Sequence, residues 1–474
     1  MARSATVRGM FEPLLSRTHT LAARFLDTLA DRPVNARASF AELKAALSVP
    51  LRDAPEDPIT VIEQLAGAAE PGLMATAGPR YFGFVTGGSL PAALAADWLA
   101  GAWDQNAGLH VLSPAVSAVE EVVADWLLDV LQLPSTASVG LVTGATMANV
   151  TAIAAARHEV LRRAGWDVEA LGLQGAPRVT VVAGAEAHTS IQSATRLTGL
   201  GSSTIVRVAA DDQGRMRPDG QDGLEGALSR IDGPTIVCVQ AGNVNTGAFD
   251  PFLPLIERAH RHGAWVHIDG AFGLWAAASP SRRGLLAGAA GGDSWTLDGH
   301  KWLNVPYESG IVIVAHPSAH RASMSQTAVY LTGATGAERD GMDWVPEQSR
   351  RARALPIYAA LRSLGRHGLA DLIERGCRCA VRIADRLRSE PGVHILNDVV
   401  LNQVLVRFDA RDGANVTPAV IARVQQEGVC WAGGTKWNAA PAMRISVSGW
   451  RTTDADIDAS AESMLRAHRQ ASRF

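Results

Sequence analysis

From about residue 76 to residue 320, short runs rich in β-branched and other apolar residues alternate with stretches of helical character. Ser138–Thr143, Arg178–Ala183, Ser203–Val208, Thr235–Gln240, Ala264–Asp269, Asp293–Leu297 and Gly310–Val314 read as strands. Met147–Ala164, Gly223–Ile231 and Pro254–His262 read as helices. Such alternation predicts an α/β fold, a mainly parallel sheet with helices on both faces. Residues 1–75 read instead as a helical arm, with Pro33, Pro50, Pro55 and Pro58 in its connections. After Arg350 the pattern becomes helix (Ala352–Gly365, Leu369–Ser389), strand (Val404–Phe408), helix (Pro418–Glu427) and strand (Met443–Val447). The expected division is therefore an arm over 1–75, a large domain over 76–350 and a small C-terminal α+β domain over 351–474. Residues 323–345, with Gly333, Gly336 and Gly341, are too long for a routine connection, and long loops are often functional.

Composition narrows the class. The chain has 474 residues, 47% hydrophobic and 19% charged, which suits a soluble globular enzyme with a sizeable core. A net charge of −3 offers no basic field for nucleic acid and no polybasic patch for a membrane. No apolar run approaches the roughly 18–20 residues that span a bilayer. The first residues lack the apolar core and cleavage site of a secretory signal. Their arginines (Arg3, Arg8, Arg17, Arg24, Arg32) suit a transit peptide, but Glu12, Asp27 and Asp31 interrupt them. Phe11, Leu14, Leu15, Leu21 and Phe25 favour an amphipathic helix. Cys238, Cys377, Cys379 and Cys430 make neither a metal-spaced set nor a disulfide framework, so a reduced, cytoplasmic protein without a metal is expected.

One compositional bias changes the picture. Of 44 basic residues only Lys44, Lys301 and Lys436 are lysines. Arginine fills the places where a plain positive charge suffices, and arginine cannot shed its proton to become a nucleophile. A lysine beside apolar residues is then placed for chemistry. Lys301, followed by Trp302 and Leu303, is such a lysine. Lys44 falls on a polar helix face, and Lys436 in a Gly-rich turn.

Three motifs carry candidate chemistry. Gly144-Ala145-Thr146 leaves a buried strand and enters a helix, where small residues, free N–H groups and the helix dipole suit a phosphate. The same pattern also makes an ordinary tight turn. Trp265-Val266-His267-Ile268-Asp269 is an apolar strand ending in a carboxylate, at the end of a parallel strand where ligands collect. Asp269 suits a helix cap, an arginine partner or a protonated pyridine nitrogen, which such an acid would keep charged. Asp293-Ser294-Trp295-Thr296-Leu297-Asp298-Gly299-His300-Lys301 is the most specific stretch. Desolvation beside Trp302 frees the lysine lone pair for carbonyl attack, the alternative being a side chain snorkelling from an interface.

Taken in order, the Asp269-Gly270-Ala271 strand end and His300-Lys301-Trp302 about thirty residues later resemble the group II PLP-dependent amino-acid decarboxylases. These include the aromatic-amino-acid, glutamate and histidine decarboxylases of aspartate-aminotransferase-like fold. The resemblance runs from about Gly78 to Asp458. It implies pyridoxal 5′-phosphate (PLP) as cofactor, held as a Schiff base on Lys301 and tuned by Asp269. It also implies a phosphate turn at Gly144, Ala145 and Thr146, with Asn149 as the helix asparagine behind it. His188 would stack on the pyridine ring, Thr246 lie near its phenolic edge, Ala271 pack on its face and His300 contact the phosphate. Tyr330, in the long segment, matches a mobile-loop tyrosine that protonates the carbanion. Aldehyde-forming oxidative relatives tend to have phenylalanine there. Arg444 matches a C-terminal arginine read as structural, and His267 is read as a core histidine from strand periodicity.

The resemblance implies decarboxylation of an L-amino acid to its amine and CO2, by a homodimer whose N-terminal helices cross between subunits. Tyr81, Phe82, Phe84, Trp103, Asn106 and His110 fall in segments that line the entrance in relatives, which leans toward a bulky or aromatic substrate. Departures concern the substrate more than the cofactor. The turn reads Gly144-Ala145-Thr146-Met147 where many relatives have Gly-Gly-Thr-Glu, Asp298-Gly299 precedes His-Lys where relatives vary, and Trp431–Trp437 is unlike the animal enzymes. Other PLP chemistry on the same frame stays open: oxidative decarboxylation to an aldehyde, transamination or aldol cleavage. A non-catalytic scaffold is the reading from a different class, and the intact Lys301, Asp269 and His188 set argues against it.

Overall fold

The computed structural model describes residues 9–325 and 338–472. Its seven-stranded sheet comprises β1 (Ser138–Val142), β2 (Thr180–Gly184), β3 (Val206–Val208), β4 (Thr235–Gln240), β5 (Trp265–Asp269), β6 (Ser294–Asp298) and β7 (Gly310–Val314). Their order across the sheet is β1-β7-β6-β5-β4-β2-β3. Every residue of β1, β4, β5, β6 and β7 is buried, which is why these strands read as apolar runs rather than alternating ones.

The strands from β3 to β6 are mutually parallel, whereas β7 runs antiparallel to both β6 and β1. The connection from β6 to β7 explains the reversal. Residues 299–309 are too few for a crossover, so the chain must fold straight back. Since β7 opposes both neighbours, β1 points the same way as β6. The turn after β1, the carboxylate ending β5 and the lysine after β6 thereby meet at one edge of the sheet. The helix Ala145–Arg163 packs across β5, β6 and β7, its buried Ala148, Ala152, Ala155 and Ala156 allowing a close approach.

A second, antiparallel sheet comprises β8 (Val393–Ile395), β9 (Gln403–Phe408), β10 (Gly433–Trp437) and β11 (Ala440–Ser446), in the order β10-β11-β9-β8. Lys436, expected in a turn, sits in β10 opposite Pro441. Paired glycines hide this strand from a propensity reading. The helix pair expected on either side of Gly365 is one run, Ala354–Arg388, interrupted where Gly365 takes φ +59°. Its Ile357, Leu369 and Ile373 join the core of the large sheet, and its Ala380, Ile383 and Leu387 join that of the small one. The expected boundary at 351 thus precedes an element shared by both cores. Among the described residues no helix is long and apolar enough to cross a membrane.

Candidate active site

A cavity opens where β5 and β6 end, with Lys301, Asp269, His188 and Ala271 in its wall. Phe84, Val244, Phe272 and Arg444 line it as well. Asp269, the last residue of β5, is buried and held by three donors. Asn149 Nδ2 and Ser190 Oγ each donate to Oδ2 at 3.2 Å, and the Ala271 N–H donates to Oδ1 at 3.2 Å. These bonds compensate the desolvation of the carboxylate and fix its direction.

A second layer orients that first one. Asn149 Oδ1 accepts from Thr296 Oγ1 at 2.7 Å and from His267 Nε2 at 2.8 Å. The assignment of the proton to His267 Nε2 follows from Asn149, whose amide nitrogen already faces Asp269. His267 Nδ1 then meets Ser294 Oγ at 2.9 Å. Burial pushes His267 down to about 4, so it is neutral near pH 7, as a core histidine should be. Asn149 is fully buried behind Asp269, so its contact is with the carboxylate rather than with the cavity.

His188 precedes the helix Thr189–Leu197, and its Nδ1 accepts the Ser190 N–H at 3.2 Å as a side-chain cap. Burial lowers its affinity for a proton, outweighing the pull of Asp269, so a neutral imidazole faces the cavity. Lys301 Nζ lies 2.8 Å from Asp298 Oδ2. Asp298 Oδ1 accepts the Ala145 N–H at 2.6 Å, tying the first turn of the helix to the lysine. His300 stacks on Tyr307 with ring centroids 4.3 Å apart, and its Nδ1 accepts the Ser309 N–H at 3.2 Å. A Cβ on Gly144 would stand 3.3 Å from His300 Cε1 and 3.6 Å from Asp298 Oδ1. The missing side chain is what leaves a cradle before the helix N-terminus.

One expected site residue stands elsewhere. Thr246 is fully buried, its hydroxyl donating to the Gln213 carbonyl at 2.7 Å and accepting the Ala248 N–H at 3.2 Å. It does not line the cavity, because its polar groups are committed to the turn that carries it. Tyr330 lies outside the described residues. Of the expected entrance residues, Phe84 reaches the cavity at 64% exposure. Trp431 lies behind it at 5.5 Å between centroids and stacks on Tyr81 at 5.0 Å. Phe82 belongs to the core of the small sheet, and Asn106 Oδ1 serves the backbone of Gly108 and Arg350.

Sequence reasoning passed over Ser190, Thr296, the contacts of Asp298 and the placement of Arg444. Only Asp298, three residues before Lys301, carried a local signal. Arg444, read as structural, faces the cavity from β11, where its guanidinium donates to the Val244 carbonyl at 3.4 Å. The site therefore offers a helix N-terminus for an anion, an amine for an aldehyde and a buried carboxylate for a cationic ring nitrogen. That donor set fits pyridoxal phosphate.

Comparison with known proteins agrees. The family profile described as the pyridoxal-dependent decarboxylase conserved domain matches residues 41–410. The chain is 27% identical over 390 residues to a phenylacetaldehyde synthase from a Rosa hybrid cultivar, covering 79% of this chain and 75% of that protein. It is 27% identical over 402 residues to tryptophan decarboxylase 1 of Oryza sativa subsp. japonica, covering 81% and 77%. Among solved structures, Oryza sativa TDC with PLP and tryptamine superposes with a TM-score of 0.89 at 22% identity, covering 97% of this chain and 98% of that one. Mouse CSAD in its apo form gives 0.88 at 22% identity, covering 96% and 98%.

Proposed function

The chain belongs to the pyridoxal-dependent decarboxylase family, a PLP-dependent carboxy-lyase, and from that premise we propose that it converts a bulky or aromatic L-amino acid to its amine and CO2. One observation carries the assignment of the site: Lys301 and Asp269 line a single cavity from neighbouring strand ends. Lys301 would hold the cofactor covalently, with Gly144, Ala145, Thr146 and His300 around its phosphate and Asp269 at its ring nitrogen. Bound there, PLP supplies an electron sink for the bond that breaks at Cα.

The protein's own work is orientation and proton management. Asp269 would hold a proton on the ring nitrogen, and the neutral His188 would cover the ring without opposing that charge. Arg444 gives the substrate carboxylate a cation to align on. Phe84, backed by Trp431, offers an aromatic surface to the substrate side chain. Tyr330 returns a proton to Cα, on the strength of its family resemblance. Arg444→Ala is expected to raise KM about tenfold or more while leaving cofactor content unchanged, as loss of a charge-assisted hydrogen bond implies. Steady-state kinetics beside the cofactor absorbance would show it.

The phenylacetaldehyde synthases among the relatives keep oxidative decarboxylation as the second reading. Product analysis of the holoprotein across L-amino acids separates the two. Equimolar amine and CO2 without H2O2 is the expected result, and aldehyde with ammonia and H2O2 would replace it with the second reading. A homodimer is supported by the apolar residues left exposed on the arm and nearby, Phe11, Leu15, Trp98, Leu99 and Trp103. Sedimentation at twice the 50.0 kDa chain mass is the check. A cytoplasmic location accords with four buried cysteines that form no disulfide.

A further inference from the structure

Asp298 ends β6 at 1% exposure, three residues before Lys301. Its two oxygens serve different masters. Oδ1 takes the Ala145 N–H at the helix N-terminus at 2.6 Å, while Oδ2 lies 2.8 Å from Lys301 Nζ and 3.6 Å from His300 Nε2. One carboxylate thereby bridges the two groups that a phosphate-bearing aldehyde must engage at its two ends. A buried carboxylate is stable only with such partners, so this arrangement satisfies Asp298, the turn and the amine together. It also sets a conflict. A phosphate at the same turn would compete for the Ala145 N–H and bring a second anion within a few ångströms, where water is scarce and like charges repel strongly.

We propose that Asp298 is an internal stand-in for the cofactor: it engages the phosphate turn and the reactive lysine before the cofactor binds, and the cofactor phosphate loads by displacing it from Ala145. The proposal rests on the reading that Lys301 holds the cofactor. Asp298 is on this view a positioning residue that keeps the turn and the lysine ordered and opposes the phosphate. An asparagine in its place still offers an oxygen to the Ala145 N–H but brings no negative charge, so it separates the two effects.

The test compares apo wild type, Asp298→Asn and Asp298→Ser by tryptophan fluorescence titration at fixed pH and ionic strength. The probes are 4′-deoxypyridoxine 5′-phosphate and 4′-deoxypyridoxine, neither of which has an aldehyde for Lys301. Asp298→Asn should bind the phosphate-bearing probe at least about tenfold tighter than wild type, as removal of a neighbouring like charge implies. Binding of the probe without phosphate should change by less than about twofold. Asp298→Ser, which keeps a small hydroxyl acceptor, should show the same selective gain. The melting temperature of both apo variants should fall, since the ion pair to Lys301 is gone. Equal or weaker binding of the phosphate probe by folded variants would overturn the inference and leave Asp298 as a tie for the turn. Failure of wild-type protein to incorporate PLP at Lys301 under borohydride would instead overturn the underlying site reading, a separable result.

Discussion

Lys301→Arg should leave a folded protein that incorporates no covalently bound cofactor and loses more than about 10³-fold in kcat, the scale on which an activated nucleophile contributes. The substitution is chosen for what it keeps. Arginine preserves a positive charge opposite Asp298 Oδ2, which now sits 2.8 Å from Lys301 Nζ, so the buried carboxylate retains a partner. It cannot become a neutral amine near neutral pH, so carbonyl attack is closed to it. Borohydride reduction followed by peptide mass analysis should label the 301 peptide in wild type and nothing in the variant. Label at Lys436, or undiminished label elsewhere in the variant, would remove the proposed catalytic centre. Lys44 and Lys436 are not among the residues that line the cavity and serve as internal controls.

Asp269→Asn should lower kcat by about 10²–10³-fold while the cofactor stays bound, because removal of one preorganised charge interaction typically costs that much. The carboxylate now receives Asn149 Nδ2, Ser190 Oγ and the Ala271 N–H. An asparagine at this position has one oxygen for three donors and turns its own N–H groups toward them or toward the ring. Either arrangement fails to hold a proton on the ring nitrogen. The change should therefore appear chiefly in kcat, with a shifted cofactor absorption spectrum and little change in KM. Wild-type kcat in a folded, cofactor-loaded Asp269→Asn protein would refute the assigned role. Asp269→Glu should recover part of the rate, since the charge returns at a different reach.

The large sheet was legible to the extent that its chemistry is local. Thr235–Gln240 and Gly310–Val314 match β4 and β7 residue for residue, because strands buried on both faces must be continuously apolar. Edge strand β3 shrank to Val206–Val208, where a turn at Ser202–Thr204 takes the start of the expected run. Asp269 and Lys301 were legible for a similar reason. A carboxylate closing an apolar strand, and a lysine beside tryptophan in a lysine-poor chain, are each locally anomalous. Their partners are not. Ser190, Thr296 and Ser294 are ordinary hydroxyl residues in sequence, and nothing near Arg444 marks it as facing a cavity. Thr246 shows the converse: its motif resembles the family, but its hydroxyl is claimed by Gln213, 33 residues away.

The class of fold, the strands buried on both faces and the anomalous placement of Asp269 and Lys301 can be read from the chain alone, because burial pattern and residue type are written along it. The meeting of Asn149 with Asp269 across 120 residues, and the bridge from Asp298 to the Ala145 amide across 153, appear only in the folded protein. Those depend on which remote backbone comes within hydrogen-bonding distance. That is settled when the strands align at one edge of the sheet, and no local pattern encodes it.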